Sequence, residues 1–296
     1  MDADEGDVTS DAEGDLSGAA ASATAAPAGR IEMLVDLNRR GGRLLLLDRV
    51  RQSYVDLDDP GYLDFEYARA MADVIDVLPA GRLAVTHVGG GAGSLARYVH
   101  HTRPGSPQIM LEPNVAVTAL VREIAPFPKG IRLRIRPVDG RSGVRDLASE
   151  SADLVIVDAF DGGHIPAELS TAEFYTDIAR VLRPDGVMLA NVADSPPAPF
   201  LRRVVATVRS VFPDVAVIGD PALLKMRRLG NYVIAAAPRS LPLPEIEQAA
   251  ARAPLPRRVL AGEPLARLVT SARPLTDADS MESPEPPDEY WRVSLG

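Results

Sequence analysis

Cysteine is absent from all 296 residues. Its absence excludes disulfides, thiolate metal sites and a cysteine nucleophile, and leaves the redox compartment open. Histidine is scarce: His87, His100, His101 and His164 are the full set, and no metal-ligand spacing stands out among them. The pair at 100 and 101 falls at an expected helix end, where capping or plain exposure accounts for it. No apolar run approaches the roughly 20 residues that a membrane helix needs. Residues 1–29 contain no basic side chain and almost no large apolar one, so an acidic, disordered tail is expected there. The basic and apolar regions of a signal peptide are missing from it as well. Most of the net charge of −9 sits in this tail and in the last 20 residues, leaving a small positive excess between them. The acidity therefore says little about the ligand. A soluble, cytoplasmic protein is expected, without a metal and without a membrane or nucleic-acid partner.

What is present is a hydrophobic fraction of 46%, ample for one large core. Arg43–Asp48 and Val50–Val55 read as two short strands around a tight turn, and Phe65–Leu78 has helical spacing. From residue 83 onward strands and helices alternate. Strands are expected near 83–88, 108–112, 132–136, 153–158, 186–191, 215–219 and 231–236, with helices near 94–101, 115–125, 143–149, 171–182 and 198–211. This alternation predicts an α/β fold with a mainly parallel, seven-stranded sheet, preceded by a small N-terminal β-hairpin. The expected organisation is a tail at 1–29, a hairpin region at 30–62, a Rossmann-like domain at 63–240 and a Pro/Ala-rich extension at 241–296. One or two short helices at most are expected in 241–274.

The run His87-Val88-Gly89-Gly90-Gly91-Ala92-Gly93-Ser94 lies between an apolar strand and a helix start. Strand, glycine turn and helix together bring backbone N–H groups close to a nucleotide-like ligand. Glu112 follows at the end of the next apolar run, where a carboxylate can accept from both hydroxyls of a ribose. Asp139 follows the third strand, Asp158 ends the fourth apolar run, and Asp161 stands three residues beyond it. Acids at strand ends also cap helices, and Asp139-Gly140 reads equally as a turn. Two carboxylates so close at the ligand edge suit a site that binds or deprotonates an amine, or orients a sulfonium. The order G-G-G-A-G-S departs from the G-x-G-x-x-G of dinucleotide-dependent oxidoreductases.

From about Leu44 to Ala237 the chain resembles spermidine synthase and related aminopropyltransferases, within the Rossmann-like S-adenosylmethionine-dependent methyltransferase fold. The resemblance assigns Gln52 to nucleoside contact, Tyr67 to the amine pocket and Gly89-Gly90-Gly91 to the glycine turn. It gives Glu112 to the ribose, Asp139-Gly140 to the adenine, and Asp158-Ala159-Phe160-Asp161 to the D-x-x-D loop whose first aspartate is the base. Asp161 is implied beside it as a catalytic and amine-binding residue. Thr276-Asp277 resembles a pair near the end of bacterial members. Implied ligands are S-adenosylmethionine or its decarboxylated form as co-substrate and a small-molecule acceptor, in a homodimer. Three departures stand out. Ala92 replaces the aspartate that pairs with the aminopropyl ammonium, Ala68-Arg69 replaces Gln-Glu, and Met226-Arg227-Arg228-Leu229 replaces a Tyr-Pro pair. Arg69 is expected to repel a cationic polyamine. Methyl transfer to an unknown acceptor, or nucleoside binding without catalysis, are the alternatives.

Overall fold

The computed structural model describes residues 29–284. Apart from Gly29, the expected acidic tail lies outside the described residues, as do residues 285–296. Three antiparallel strands open the chain: β1 (Ile31–Val35), β2 (Gly42–Leu47) and β3 (Val50–Asp56). The hairpin expected over 43–55 is β2–β3. Asp48 and Arg49 both adopt positive φ at its turn, as the tightest hairpin connections require. The strand β1, hidden in the sequence by its short mixed pattern, pairs with β2 from Ile31↔Leu47 to Val35↔Arg43.

Helix α1 (Glu66–Val77) leads into the main alternation. Its elements are β4 (Val85–Val88), α2 (Ser94–Thr102), β5 (Gln108–Leu111), α3 (Val115–Ile124), β6 (Leu133–Arg136), α4 (Gly140–Arg145) and β7 (Ala152–Val157). They continue with α5 (Ala172–Val181), β8 (Leu182–Asp194), α6 (Pro199–Val211), β9 (Asp214–Gly219), α7 (Pro221–Leu224) and β10 (Gly230–Ala237). Helix α4 begins three residues before its expected start, because the Asp139 carboxylate accepts from Ser142 N at 2.7 Å and caps it there. The seven expected strands all form. An eighth, β11 (Arg258–Ala261), lies between α8 (Leu243–Arg252) and α9 (Gly262–Leu268). Four residues among prolines carry too little pattern to read as a strand. β11 nonetheless pairs antiparallel with β9 and covers an edge that would otherwise be open.

The sheet order is β11-β9-β10-β8-β7-β4-β5-β6. From β4 the chain builds outward to β5 and β6, then returns to place β7 on the other side of β4. The order reverses between β4 and β7, and ligands of open α/β sheets bind in the crevice this reversal creates. One apolar layer, including Phe174, Phe200 and Phe212, packs on one side of the sheet. A second, including Met71, Ile75 and Val99, joins α1 and α2 to the other. A small third cluster of Leu45, Val55, Ala92, Val117, Val121 and Ala125 fastens the N-terminal sheet to the glycine turn and α3. No helix among the described residues is long and apolar enough to cross a membrane.

Candidate functional site

A cleft of about 660 Å³ opens at the carboxyl ends of β4, β5, β6 and β7, roofed by the β2–β3 hairpin. Gln52, Gly89, Gly90, Gly91, Glu112, Asp139, Gly140, Asp158 and Asp161 all line it. Eight strand-end or loop positions and one hairpin residue thus converge on one cavity. Gly89 has φ +86°, and a Cβ there would lie 2.2 Å from the Asp158 carbonyl oxygen. Only glycine lets the turn after β4 touch the loop after β7.

Glu112 is anchored by the backbone on both carboxylate oxygens. One carboxylate oxygen accepts from Gly90 N at 3.0 Å and Gly91 N at 3.3 Å, the other from Asn114 N at 2.9 Å. The acid that the sequence places on a ribose therefore also holds the glycine turn in shape. Beneath that turn, buried Arg97 donates to the Ala92, Ala125 and Pro126 carbonyls and faces the Phe127 ring. Burial lowers its pKa to about 10, which leaves it cationic at neutral pH. Asp139 is exposed at the cleft edge. Burial raises its pKa, but hydrogen bonds from Ser142 and neighbouring backbone outweigh this and lower it overall. Asp161 is exposed at the rim, in a turn closed by reciprocal backbone bonds with His164 at 2.8 and 2.9 Å.

Asp158 occupies the cleft floor. Its Oδ2 accepts from the Tyr67 hydroxyl at 3.0 Å and its Oδ1 from Asn191 Nδ2 at 2.9 Å. Asn231 Nδ2 donates in turn to Asn191 Oδ1 at 2.9 Å. Burial raises the Asp158 pKa against the pull of both hydrogen bonds, and burial with the Asp158 charge holds Tyr67 well above a free phenol. A carboxylate raised in this way is a better proton acceptor than one in water.

Beyond Asp158 lies a narrow inner pocket of about 40 Å³ that shares Gln52 and Phe160 with the cleft. Its apolar walls include Val50, Phe65 and Ala193, with Tyr67 stacked on Phe65 at 5.7 Å between ring centroids. Asn191 and Asn231 supply carboxamides. Among the described residues its one charged lining residue is Arg51, which pairs with Asp64 at 2.6 Å and lies over the Phe65 ring. Asn191 and Asn231 are additions that the motifs did not announce. The available signal was a carboxamide inside an otherwise apolar strand, Leu189-Ala190-Asn191-Val192.

Two expected departures act differently from the sequence reading. Arg69 does not face the pocket: its guanidinium donates to the Leu63 and Asp64 carbonyls, at 2.5 and 2.8 Å. Ala92 is fully buried in the cluster under the N-terminal sheet and lines neither cavity. The Thr276-Asp277 pair is a clasp. Asp277 accepts from Thr171 Oγ1 at 2.7 Å and from Arg141 at 2.8 Å, away from the cleft lining. Among the described residues no group of three or more His, Cys, Asp or Glu is placed to hold a metal ion.

No protein-family model matches the chain. A curated polyamine aminopropyltransferase from Chromobacterium violaceum is 33% identical over 141 residues, covering 47% of this chain and 53% of the relative. The chain thus matches about half the length of that relative. The crystal structure of a probable spermidine synthase from Corynebacterium glutamicum aligns with a TM-score of 0.77 at 28% identity, covering 83% of this chain and 92% of that one. Human methyltransferase-like protein 13, in complex with SAH, aligns at a TM-score of 0.52 and 22% identity, covering 72% of this chain and 96% of that one, a likeness of fold. The chain has the Rossmann-like fold of S-adenosylmethionine-dependent methyltransferases, and it resembles the spermidine synthase-like aminopropyltransferases in sequence and structure.

Proposed function

We propose that this protein transfers an aminopropyl group from decarboxylated S-adenosylmethionine to an amine. One observation carries the choice of donor. Among the described residues, every charged side chain lining the large cleft is an acid: Asp48, Glu112, Asp139, Asp158, Asp161 and Glu168. The decarboxylated donor bears a sulfonium and an ammonium, both positive. The unmodified donor adds a carboxylate, which finds no Lys, Arg or His among the described residues of the lining. One uncompensated like-charge contact at 6 Å costs roughly 3 kcal/mol at an effective dielectric of 20.

Glu112 and the glycine turn hold the ribose, and Asp139 with Gly140 borders the base. Gln52 closes the nucleoside from the hairpin side. Asp158 accepts a proton from the acceptor amine, while Tyr67 and Asn191 fix its two oxygens. The amine nitrogen then bonds to the propyl carbon, the carbon–sulfur bond breaks, and its electron pair returns to sulfur as the neutral thioether of 5′-methylthioadenosine. Asp161 at the rim adds negative potential around the cationic reactants. The relatives named polyamine aminopropyltransferases support this reading.

Methyl transfer from S-adenosylmethionine is the second reading. It fits the fold shared with human methyltransferase-like protein 13 in complex with SAH. Titrating the purified protein separately with the two donors decides between them. The decarboxylated form is expected to bind at least tenfold more tightly, and equal or reversed affinities sink the proposal.

A further inference from the structure

The inner pocket does not end at Asn231. Tyr67 and Asn231 also line two outer hollows, of about 160 and 200 Å³, that continue toward the surface between α1 and α7. Arg228 borders both. Its guanidinium reaches Glu66 Oε2 at 3.2 Å on α1 and also bonds the Asp220 carboxylate, whose other oxygen caps α7. Both carboxylates lining the outer hollows are therefore already held by one arginine. Arg257, the remaining charged residue there, is paired with Asp73. Along the inner pocket the single charge is Arg51, paired with Asp64.

Resting on the aminopropyltransferase reading, we infer that Arg228 determines acceptor specificity: the passage takes a primary monoamine with an uncharged alkyl or aryl tail in preference to a diamine. The physical reason is the placement of charge. The reacting amine is served by Asp158, but a second ammonium farther along meets aromatic rings, carboxamides and the guanidiniums of Arg51, Arg228 and Arg257. The acids that could offset it are occupied by Arg228. Removing a charge from water without a partner is costly, so a second ammonium is rejected rather than accommodated. An uncharged tail meets no such penalty, and the stacked Phe65–Tyr67 pair with Phe160 offers it apolar contact. Arg228 stands in the segment Met226-Arg227-Arg228-Leu229, which departs from the Tyr-Pro pair that the sequence resemblance implies.

The test compares 2-phenylethylamine with putrescine, measuring 5′-methylthioadenosine release from the decarboxylated donor. The intact chain is expected to show kcat/KM at least tenfold higher for 2-phenylethylamine. Arg228→Gln frees Glu66 and Asp220, so it should raise kcat/KM for putrescine about tenfold and change that for 2-phenylethylamine less than threefold. A preference for putrescine, or an Arg228→Gln variant with unaltered preference, overturns the inference. The same two amines are titrated calorimetrically into protein saturated with 5′-methylthioadenosine. If neither is turned over but the monoamine still binds more tightly, with Arg228→Gln narrowing the gap, the transfer reading falls and the specificity inference stands. If putrescine binds as tightly as the monoamine, or neither amine binds, the inference falls.

Discussion

The large cleft takes its character from six carboxylates and a glycine turn, whereas the passage beyond Asp158 is aromatic, amide-lined and bordered by guanidiniums. The two regions meet at one side chain. Asp158 lines the cleft with one part of its surface and accepts hydrogen bonds from Tyr67 and Asn191, residues of the passage, with both oxygens. On the proposed reading, the contrast teaches that binding one cation and rejecting another need not conflict in a small protein. Acids concentrated on one side of Asp158 then attract a cationic donor. Acids on the other side are neutralised by partners from the same chain.

Asp158→Asn should strike both regions at their junction and produce the largest effect. Loss of a positioned general base typically costs 10²–10⁴-fold, so transfer should fall about 10³-fold in single-turnover assays. Affinity for 5′-methylthioadenosine should stay within about threefold, because no cationic centre remains in that ligand. The pH profile of the unaltered chain sharpens this. Since burial raises the Asp158 pKa, the acid limb of the rate should lie above that of an ordinary carboxylate, activity being lost as pH falls through the raised value. An acid limb at the usual aspartate position breaks the assignment.

Ala92→Asp comes next. The sequence resemblance implies an acid at this position, but here the methyl group is buried in a cluster with Leu45, Val55 and Val121. A carboxylate there should lower unfolding stability by about 3 kcal/mol without strengthening amine binding. Chemical denaturation measures the first part and calorimetry the second. Improved amine affinity at unchanged stability would show that position 92 faces ligand after all.

Glu112→Ala should lower affinity for 5′-methylthioadenosine at least tenfold, since charge-assisted hydrogen bonds contribute about 1.5–3 kcal/mol each. It also frees Gly90 N and Gly91 N, so the turn itself loosens. The ratio of monoamine to diamine binding should stay the same, because Glu112 belongs only to the cleft. A changed ratio would mean that the two regions are not separable.

Tyr67→Phe should have the smallest effect, about three- to tenfold on rate. The phenol stabilises the ionised form of Asp158, so its removal should raise the Asp158 pKa further and move the acid limb toward higher pH. An unshifted limb would assign Tyr67 to the passage alone.

The same contrast explains what was legible in the sequence. The cleft is made by loops following successive strands, so each contribution is a short local signal: glycines after β4, Glu112 after β5, Asp139 after β6 and Asp158 after β7. Strand periodicity located all four. The passage draws Arg51, Phe65, Asn191 and the pair Arg228 and Asn231 from four separate segments, and no local spacing links those segments. Resemblance misled in an instructive way at Arg69 and Ala92. Substitution at an aligned position says which side chain is present, but not where it points. Arg69 found two backbone carbonyls nearer than the pocket, and Ala92 an apolar cluster. The strand β11 escaped for another reason, since its four residues become a strand only because β9 offers an unpaired edge.

The loop carrying Asp161 is braced from far along the chain. Ile165 N donates to Ser283 Oγ at 2.8 Å, and the His164 ring bonds the Ser283 carbonyl at 2.8 Å, across 118 and 119 residues. Leu275 and Asp277 are tied to the start of α5 close by. During synthesis, then, the glycine turn and every acid of the cleft leave the ribosome well before the segment that steadies their rim. At about 5–20 residues per second the delay is roughly 6–24 s. For that interval the nascent chain carries the cleft without the brace on its Asp161 loop, which comes from one of the last described segments to be made.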